Sequence, residues 1–192
     1  HLSQEEIEDV LKDHLNIGKV IWLNTGIYLD ETNEHVDNIC AFTDESTVML
    51  SFPEATSDIQ YKSSLDAYNI LSNSYTNLGN KIKVIKVPSP EVQYMTKEEA
   101  ESLDNLGTGV DRLSGRRLAA SYVNYYSGEK FIILPKFNCK EDETVLKLFK
   151  ETFKNKEIIQ IYSREILLGG GNIHCITKEV PLITKSEVTL WK

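Results

Sequence analysis

The segment Gly169-Gly170-Gly171-Asn172-Ile173-His174-Cys175 places a thiol directly after three glycines. Adjacent glycines cost backbone entropy on folding and bring no side chain to a core. They make sense where the chain must pass close to something else, such as a ligand. Cys175 is then placed to meet that ligand, and the chemistry open to it is nucleophilic attack by the thiolate, formed from a reference pKa of about 8.5. Far upstream stands His35-Val36-Asp37. In a strand, residues two apart share a face, so His35 and Asp37 could address one site together while Val36 faces away. The same pattern also fits a histidine at a strand entrance bonded to a nearby carboxylate. The polar approach Asp30-Glu31-Thr32-Asn33-Glu34 suits an active-site loop better than a packing corner. Read together, the two segments suggest a cysteine nucleophile served by a distant histidine and carboxylate.

The other thiols and basic residues offer less. Cys40, flanked by Ile39, Ala41 and Phe42, reads as a buried inert thiol, the commonest fate of free cysteine. Cys139, among Asn138, Lys140, Glu141 and Asp142, reads as lying on an exposed loop. His174 is next to Cys175 in what looks like an extended segment, so it should point away and be structural. A phosphate cradle at the glycines fails on detail, because no Gly-Lys-Ser/Thr follows and the Gly-x-Gly-x-x-Gly spacing is absent. The pair Arg116-Arg117 reads as a solvated or salt-bridged surface feature able to anchor an acidic neighbour.

The elements that must position these groups follow from periodicity. Ser3 to Leu15 predicts a helix capped by Ser3, with Ile7, Val10, Leu11 and Leu15 in one apolar stripe and Gly18 as its stop. Strands are expected over Lys19 to Leu23, Val36 to Phe42 and Thr47 to Phe52, then a helix over Asp58 to Asn77 and a strand over Lys81 to Val87. After a polar stretch from Pro88 to Arg117 the order returns, with strands over Leu118 to Tyr126 and Phe131 to Pro135, a helix over Asp142 to Phe153 and a strand over Glu157 to Tyr162. A further strand is expected over Asn172 to Thr177. The fold class is therefore α/β, with an internal repeat of strand-strand-helix-strand units. The chain opens on the back half of such a unit, as though earlier units were missing.

Composition bounds the partners. The 192 residues are 41% hydrophobic and 26% charged, as expected of one globular domain. The formal net charge of -8 and the pI near 5.1 repel nucleic acid and anionic membranes, and would attract a small cation. No apolar run approaches the ~20 residues that span a bilayer. Three cysteines, few and far apart, form neither a disulfide framework nor a CxxC zinc site, which fits a reducing cytoplasm.

Four stretches together carry a resemblance. Val20-Ile21-Trp22-Leu23, Asp30-Glu31-Thr32-Asn33-Glu34-His35-Val36-Asp37-Asn38, Ala120-Ser121-Tyr122-Val123-Asn124-Tyr125-Tyr126 and Arg164-Glu165-Ile166-Leu167-Leu168-Gly169-Gly170-Gly171-Asn172-Ile173-His174-Cys175-Ile176-Thr177 resemble, in order, motifs of the agmatine deiminases, members of the guanidine-modifying or pentein superfamily. The resemblance covers nearly the whole chain, and its last motif is highly specific. It implies a five-bladed α/β propeller, of which residues 1–192 would be the C-terminal part with earlier blades absent. It implies Cys175 as nucleophile, His35 as general acid and base, Asp37 as the carboxylate on the substrate guanidinium, and Gly169, Gly170, Gly171 and Asn172 as substrate-binding residues.

The implied reaction converts agmatine to N-carbamoylputrescine and ammonia in putrescine biosynthesis, with no metal or organic cofactor, in an oligomer of identical subunits. Two departures stand out. Glu34 occupies a position that is glycine in many members, and the family's Trp-x-Arg-Asp and Glu-Gly-Gly motifs do not occur here. The chain alone is accordingly expected to turn over poorly. An arginine or peptidyl-arginine deiminase, or a fragment acting only in binding or assembly, is the alternative. Leu182 to Lys192 carries no interpretable motif.

Overall fold

A computed structural model describes residues 2–31, 33–103 and 112–178. Thr32 in the approach to His35, and the stretch from Leu182 to Lys192, lie outside the described residues. Helix α1 (Gln4–Leu15) begins at a reciprocal cap in which the Glu6 amide donates to the Ser3 hydroxyl and the Ser3 amide to the Glu6 carboxylate. It ends at Asn16 in the left-handed conformation, two residues before the expected Gly18. Its apolar stripe is not deeply covered, since Val10 and Leu15 are exposed.

Two units of one topology follow. In the first, β1 (Cys40–Phe42) runs antiparallel to β2 (Thr47–Phe52), and helix α2 (Tyr61–Ser72) crosses over to β3 (Lys83–Pro88), parallel to β2 with Thr47 opposite Lys83 and Phe52 opposite Pro88. After α3 (Lys97–Ser102), the second unit repeats the order: β4 (Tyr126–Ser127) is antiparallel to β5 (Phe131–Lys136), and α4 (Glu141–Thr152) crosses to β6 (Glu157–Tyr162), parallel to β5. The chain then forms the short helix α5 (Arg164–Leu168). Each parallel pair needs the crossover helix because a hairpin can join only antiparallel strands.

Strand alternation distributes side chains between two cores. Val48, Leu50 and Phe52 of β2 join Ala67 and Leu71 of α2, whereas Met49 turns to the opposite face. There it meets Val87 together with Ile132, Leu134, Val145 and Phe149 of the second unit. Helix α4 thus covers its own sheet and also the back of the first.

Several expectations fail locally. Residues 19–23 form no strand, although Ile21 and Leu23 pack on the first core. The expected Val36 to Phe42 strand begins only at Cys40, because Val36–Asn38 is a 3-10 turn. The helix expected over Asp58 to Asn77 is limited to Tyr61–Ser72. Of Leu118 to Tyr126, only Tyr126 reaches a strand, while Ser121 through Tyr125 is buried irregular chain held in part by the Tyr122 hydroxyl donating to Asp142 at 2.7 Å. Asn172 to Thr177 is likewise no strand: His174–Ile176 is a 3-10 turn. Helices α3 and α5 were not expected.

Candidate active site

The glycine segment leaves α5, whose position is fixed from outside the site. Arg164 donates to both carboxylate oxygens of Glu99 at 2.8 and 2.7 Å, to Gln93 Oε1 at 3.0 Å and to the Tyr94 carbonyl at 2.6 Å. Arg164 holds the Glu99 carboxyl down to about 2, with the Thr96 amide assisting. Beyond α5, Gly170 has φ +91°, and a Cβ there would overlap the Glu31 carboxylate. Arg112 grips that carboxylate at 2.9 and 3.4 Å and reaches the Gly169 carbonyl at 3.4 Å, so the glycine loop and the histidine loop are joined. Gly171 is bare for another reason: a Cβ would stand 2.7 Å from Cys175 Cβ and 3.0 Å from its sulfur.

The histidine loop is strained and tied. Leu29, Asn33 and Glu34 all have φ near +60°, a region that costs non-glycine residues about 1 kcal/mol or more each. The conformation explains why glycine would suit position 34. Glu34 is retained in it by accepting the Gly26 amide at 2.7 Å, in space that exists only because Gly26 has no Cβ. Arg116 donates to the Leu29 carbonyl, and Arg117 forms a paired contact with Asp58 at 3.0 and 3.1 Å. The two arginines thus anchor carbonyl and carboxylate neighbours.

From these loops His35, Asp37, Gly169, Gly170, Gly171, His174 and Cys175 reach one open cleft of about 760 Å³, also lined by Glu165. The Cys175 thiol donates to Asp37 Oδ2 at 3.2 Å, although the two residues are 138 apart in sequence. The same oxygen is 2.8 Å from His174 Nδ1, which must carry the proton because an ionised carboxylate only accepts. His174 therefore belongs to the site, against the expectation that it points away. In a 3-10 turn, neighbours are not forced to opposite faces as they are in a strand. His35 and Asp37 also share the cleft from a turn rather than from a strand.

Burial pushes the Asp37 carboxyl up, but the hydrogen bonds from His174 and Cys175 outweigh it and leave the group below its ordinary value. The Cys175 thiol is raised, first by burial and then by Asp37, against opposing help from the Asn172 backbone and the Asn124 amide. Cys40 is half-buried rather than fully buried, and the burial of its thiol drives it up to about 11. Cys139 is half-buried rather than exposed, with its sulfur 3.3 Å from the Tyr122 hydroxyl.

Asn172 does not reach the cleft with its side chain. It is wholly buried, and its Oδ1 accepts the Ile173 amide at 2.9 Å. Among the described residues, no group of three or more His, Cys, Asp or Glu could hold a metal ion. Sequence reasoning missed Asn124, which is buried, bonds Asn38 Oδ1 and Cys175 Sγ through its amide nitrogen, and accepts the His174 amide at 2.9 Å. Its signal was a polar residue in the middle of the apolar run Tyr122-Val123-Asn124-Tyr125.

Comparison with known proteins shows the family. The model of the Porphyromonas-type peptidyl-arginine deiminases matches residues 1–181. The chain belongs to that family. Within it, a Latilactobacillus sakei relative provisionally named an agmatine deiminase is 44% identical over 180 residues, covering 94% of this chain and 49% of the relative. A Mycoplasma mycoides relative with the same provisional name is 45% identical over the same shares. The chain thus spans about half the length of the curated relatives it matches.

Among solved structures, the agmatine deiminase of Enterococcus faecalis superposes with a TM-score of 0.86 at 32% identity, over 92% of this chain and 48% of that one. A cysteine-to-serine variant of the C. jejuni agmatine deiminase with its substrate bound gives 0.73 at 25% identity, over 91% and 45%. The fold of this deiminase-family chain is accordingly mixed α/β with small sheets, like theirs. Among its described residues no helix is long and apolar enough to cross a membrane.

Proposed function

We propose that this chain carries the nucleophile-bearing portion of an agmatine deiminase. The observation that carries the reading is the Cys175 sulfur 3.2 Å from the Asp37 carboxylate in a cleft that His35 also lines. A planar guanidinium meets a carboxylate through paired charge-assisted hydrogen bonds. Asp37 can therefore hold the guanidinium carbon beside the thiol. The cation also reverses the local field: neutralising Asp37 removes one of the two effects that keep the thiol protonated, so substrate promotes its own nucleophile.

The thiolate adds to the guanidinium carbon, and the tetrahedral adduct expels ammonia as His35 delivers a proton to the departing nitrogen. An amidino-thioether on Cys175 remains. His35, now neutral, takes a proton from water as it attacks the same carbon, and the thiolate leaves. The adduct's hydroxyl proton passes to solvent and the released ammonia as the thiolate leaves, so the product retains one terminal nitrogen and gains the carbonyl oxygen, which for agmatine gives N-carbamoylputrescine. The steps as written need no further reagent. Gly169, Gly170 and Gly171 form the floor on which the guanidinium rests.

Further readings belong to the same proposal. The two units are adjacent blades of a five-bladed propeller. In support, α4 covers the back of the first sheet, while Ile159 and Ile161 on β6 stay exposed where another blade would pack. The enzyme is a cytoplasmic homo-oligomer that binds neither nucleic acid nor membrane. Ammonia release by the complete gene product from agmatine, arginine and a peptidyl-arginine tests the function. Agmatine should be strongly preferred, whereas preference for either arginine compound would transfer the reading to that deiminase class. Release from none of the three would leave a binding or assembly role.

A further inference from the structure

Asn124 comes from neither of the segments that supply the cysteine and the histidine. It stands in the buried irregular chain before β4 and is fully enclosed. Its side-chain amide donates to Asn38 Oδ1 at 3.0 Å and to Cys175 Sγ at 3.1 Å, and it also helps to hold the Asp37 carboxyl down. Its Oδ1 accepts the backbone amides of His174 at 2.9 Å and Cys175 at 3.4 Å, and its own carbonyl is 3.2 Å from the His174 amide.

The orientation of this amide is settled by chemistry. Asn38 Nδ2 faces Asp30 Oδ2 at 3.3 Å, and a carboxylate only accepts, so Asn38 must present Oδ1 to Asn124. The backbone amides of His174 and Cys175 only donate, so Asn124 must present Oδ1 to them. A flipped Asn124 would oppose donor to donor and acceptor to acceptor at these contacts. Its N–H is therefore directed at the sulfur.

We propose that Asn124 is a catalytic residue of this site: its amide N–H steadies the Cys175 thiolate, while its carbonyl oxygen fixes the turn that presents it. The sulfur lies between opposing influences. Asp37 faces it at 3.2 Å, with His174 and His35 beside the same cleft and Glu165 on α5, and the carboxylates disfavour a second negative charge. A hydrogen bond to a charged acceptor is about twice as strong as one to a neutral acceptor, so the Asn124 contact strengthens as the proton leaves. It is a donor built into the fold, wholly buried and outside the lining of the cleft. The inference rests on Cys175 being the nucleophile proposed above.

Asn124→Asp keeps the shape and the acceptor oxygen but replaces the donor with a second carboxylate oxygen that, when ionised, itself disfavours the thiolate. A rise therefore counts for the lost donor only where Asn124→Ala, which adds no charge, shows it too. In the complete gene product, the pH midpoint of Cys175 alkylation by iodoacetamide can be followed peptide by peptide by mass spectrometry, with Cys40 and Cys139 as internal references. The midpoint is the proper measure, because thiolate nucleophilicity changes along with its population. We expect it to rise, with about ten- to a hundredfold less thiolate at neutral pH, and kcat on agmatine to fall more than KM rises. Asn124→Ala, which also lacks the donor, is measured in the same way and decides alone should the aspartate variant not fold.

An unchanged Cys175 midpoint in either folded variant overturns the proposal. So does a rise in Cys40 and Cys139 reactivity in step with any change at Cys175, because that would show a packing role alone. The proposed function fails separately: if Cys175→Ser retained turnover, the reaction would be misassigned even where Asn124 still governed the thiol.

Discussion

Replacing Gly171 by alanine puts the geometry of the proposed nucleophile to a direct test. The added Cβ would lie 2.7 Å from Cys175 Cβ, about 0.7 Å inside the 3.4 Å where ordinary contact begins. Rotation about χ1 can move the sulfur but not Cys175 Cβ, so the backbone of the turn must give. The strain falls on a short 3-10 turn at the edge of an open cleft, where relaxation is easy, so the stability cost should sit at the low end for overpacking, about 1 kcal/mol. Catalysis is less forgiving. A nucleophile misplaced by ~1 Å can lose about a hundredfold in rate.

We therefore expect kcat for ammonia release to fall by about ten- to a hundredfold, equivalent to about 1.4 to 2.7 kcal/mol of barrier, with a small loss in thermal stability. Gly169→Ala should cost less, because its Cβ would meet only the Ile166 carbonyl at 3.1 Å and the backbone there is already helical. Wild-type kcat in a folded Gly171→Ala enzyme would show that the sulfur's position is not what the cleft is built to hold.

Other consequences can be checked with the same protein. Cys175→Ser should abolish turnover with the fold intact, while Cys139→Ser should keep it despite losing the contact with Tyr122, because a hydroxyl is a far poorer nucleophile than a thiolate. The Cys175 thiol should titrate above an ordinary cysteine in the free protein, and its midpoint should fall when agmatine is present; a midpoint that rises with agmatine would refute the field reversal at Asp37. The Glu99–Arg164 pair should add stability that is complete above about pH 4.5 and lost as the pH falls toward 2, since folding lowers this carboxyl from 4.5 to about 2. Acid unfolding of Glu99→Gln should accordingly lack part of that dependence, and an identical acid limb would exclude it. The 192 residues alone should release ammonia from agmatine far more slowly than the complete gene product, and equal rates would show that they suffice.

Sequence made the regular elements legible where a periodic signal faced its own core. β2 and β6 occupy the expected Thr47–Phe52 and Glu157–Tyr162, and α4 is displaced by one residue at either end. The signal failed where long-range partners captured the backbone. Residues 172–177 have the apolar content of a strand, but Asn124 takes the amides of His174 and Cys175, and no periodicity in that segment could announce a partner fifty residues away. Cys175, His35 and Asp37 were still readable as one constellation, because residue type and loop chemistry signalled a site whatever backbone carried them. The strand argument for His35 and Asp37 was wrong in its local geometry, and the same assumption misdirected His174.

The glycines show how such a signal can be sound and still incomplete. Three of them do imply a close approach, and a ligand was the natural candidate. At two positions the approaching group is part of the protein: Glu31 lies over Gly170, and Cys175 itself lies against Gly171. Their bareness lets the histidine loop lock onto the glycine loop and lets the sulfur sit close to the chain beside Asp37. A substrate resting on the same floor would meet a surface already shaped by these internal contacts. Substitutions there should therefore act first on where the Cys175 thiol stands, and only secondarily on the space left for a ligand.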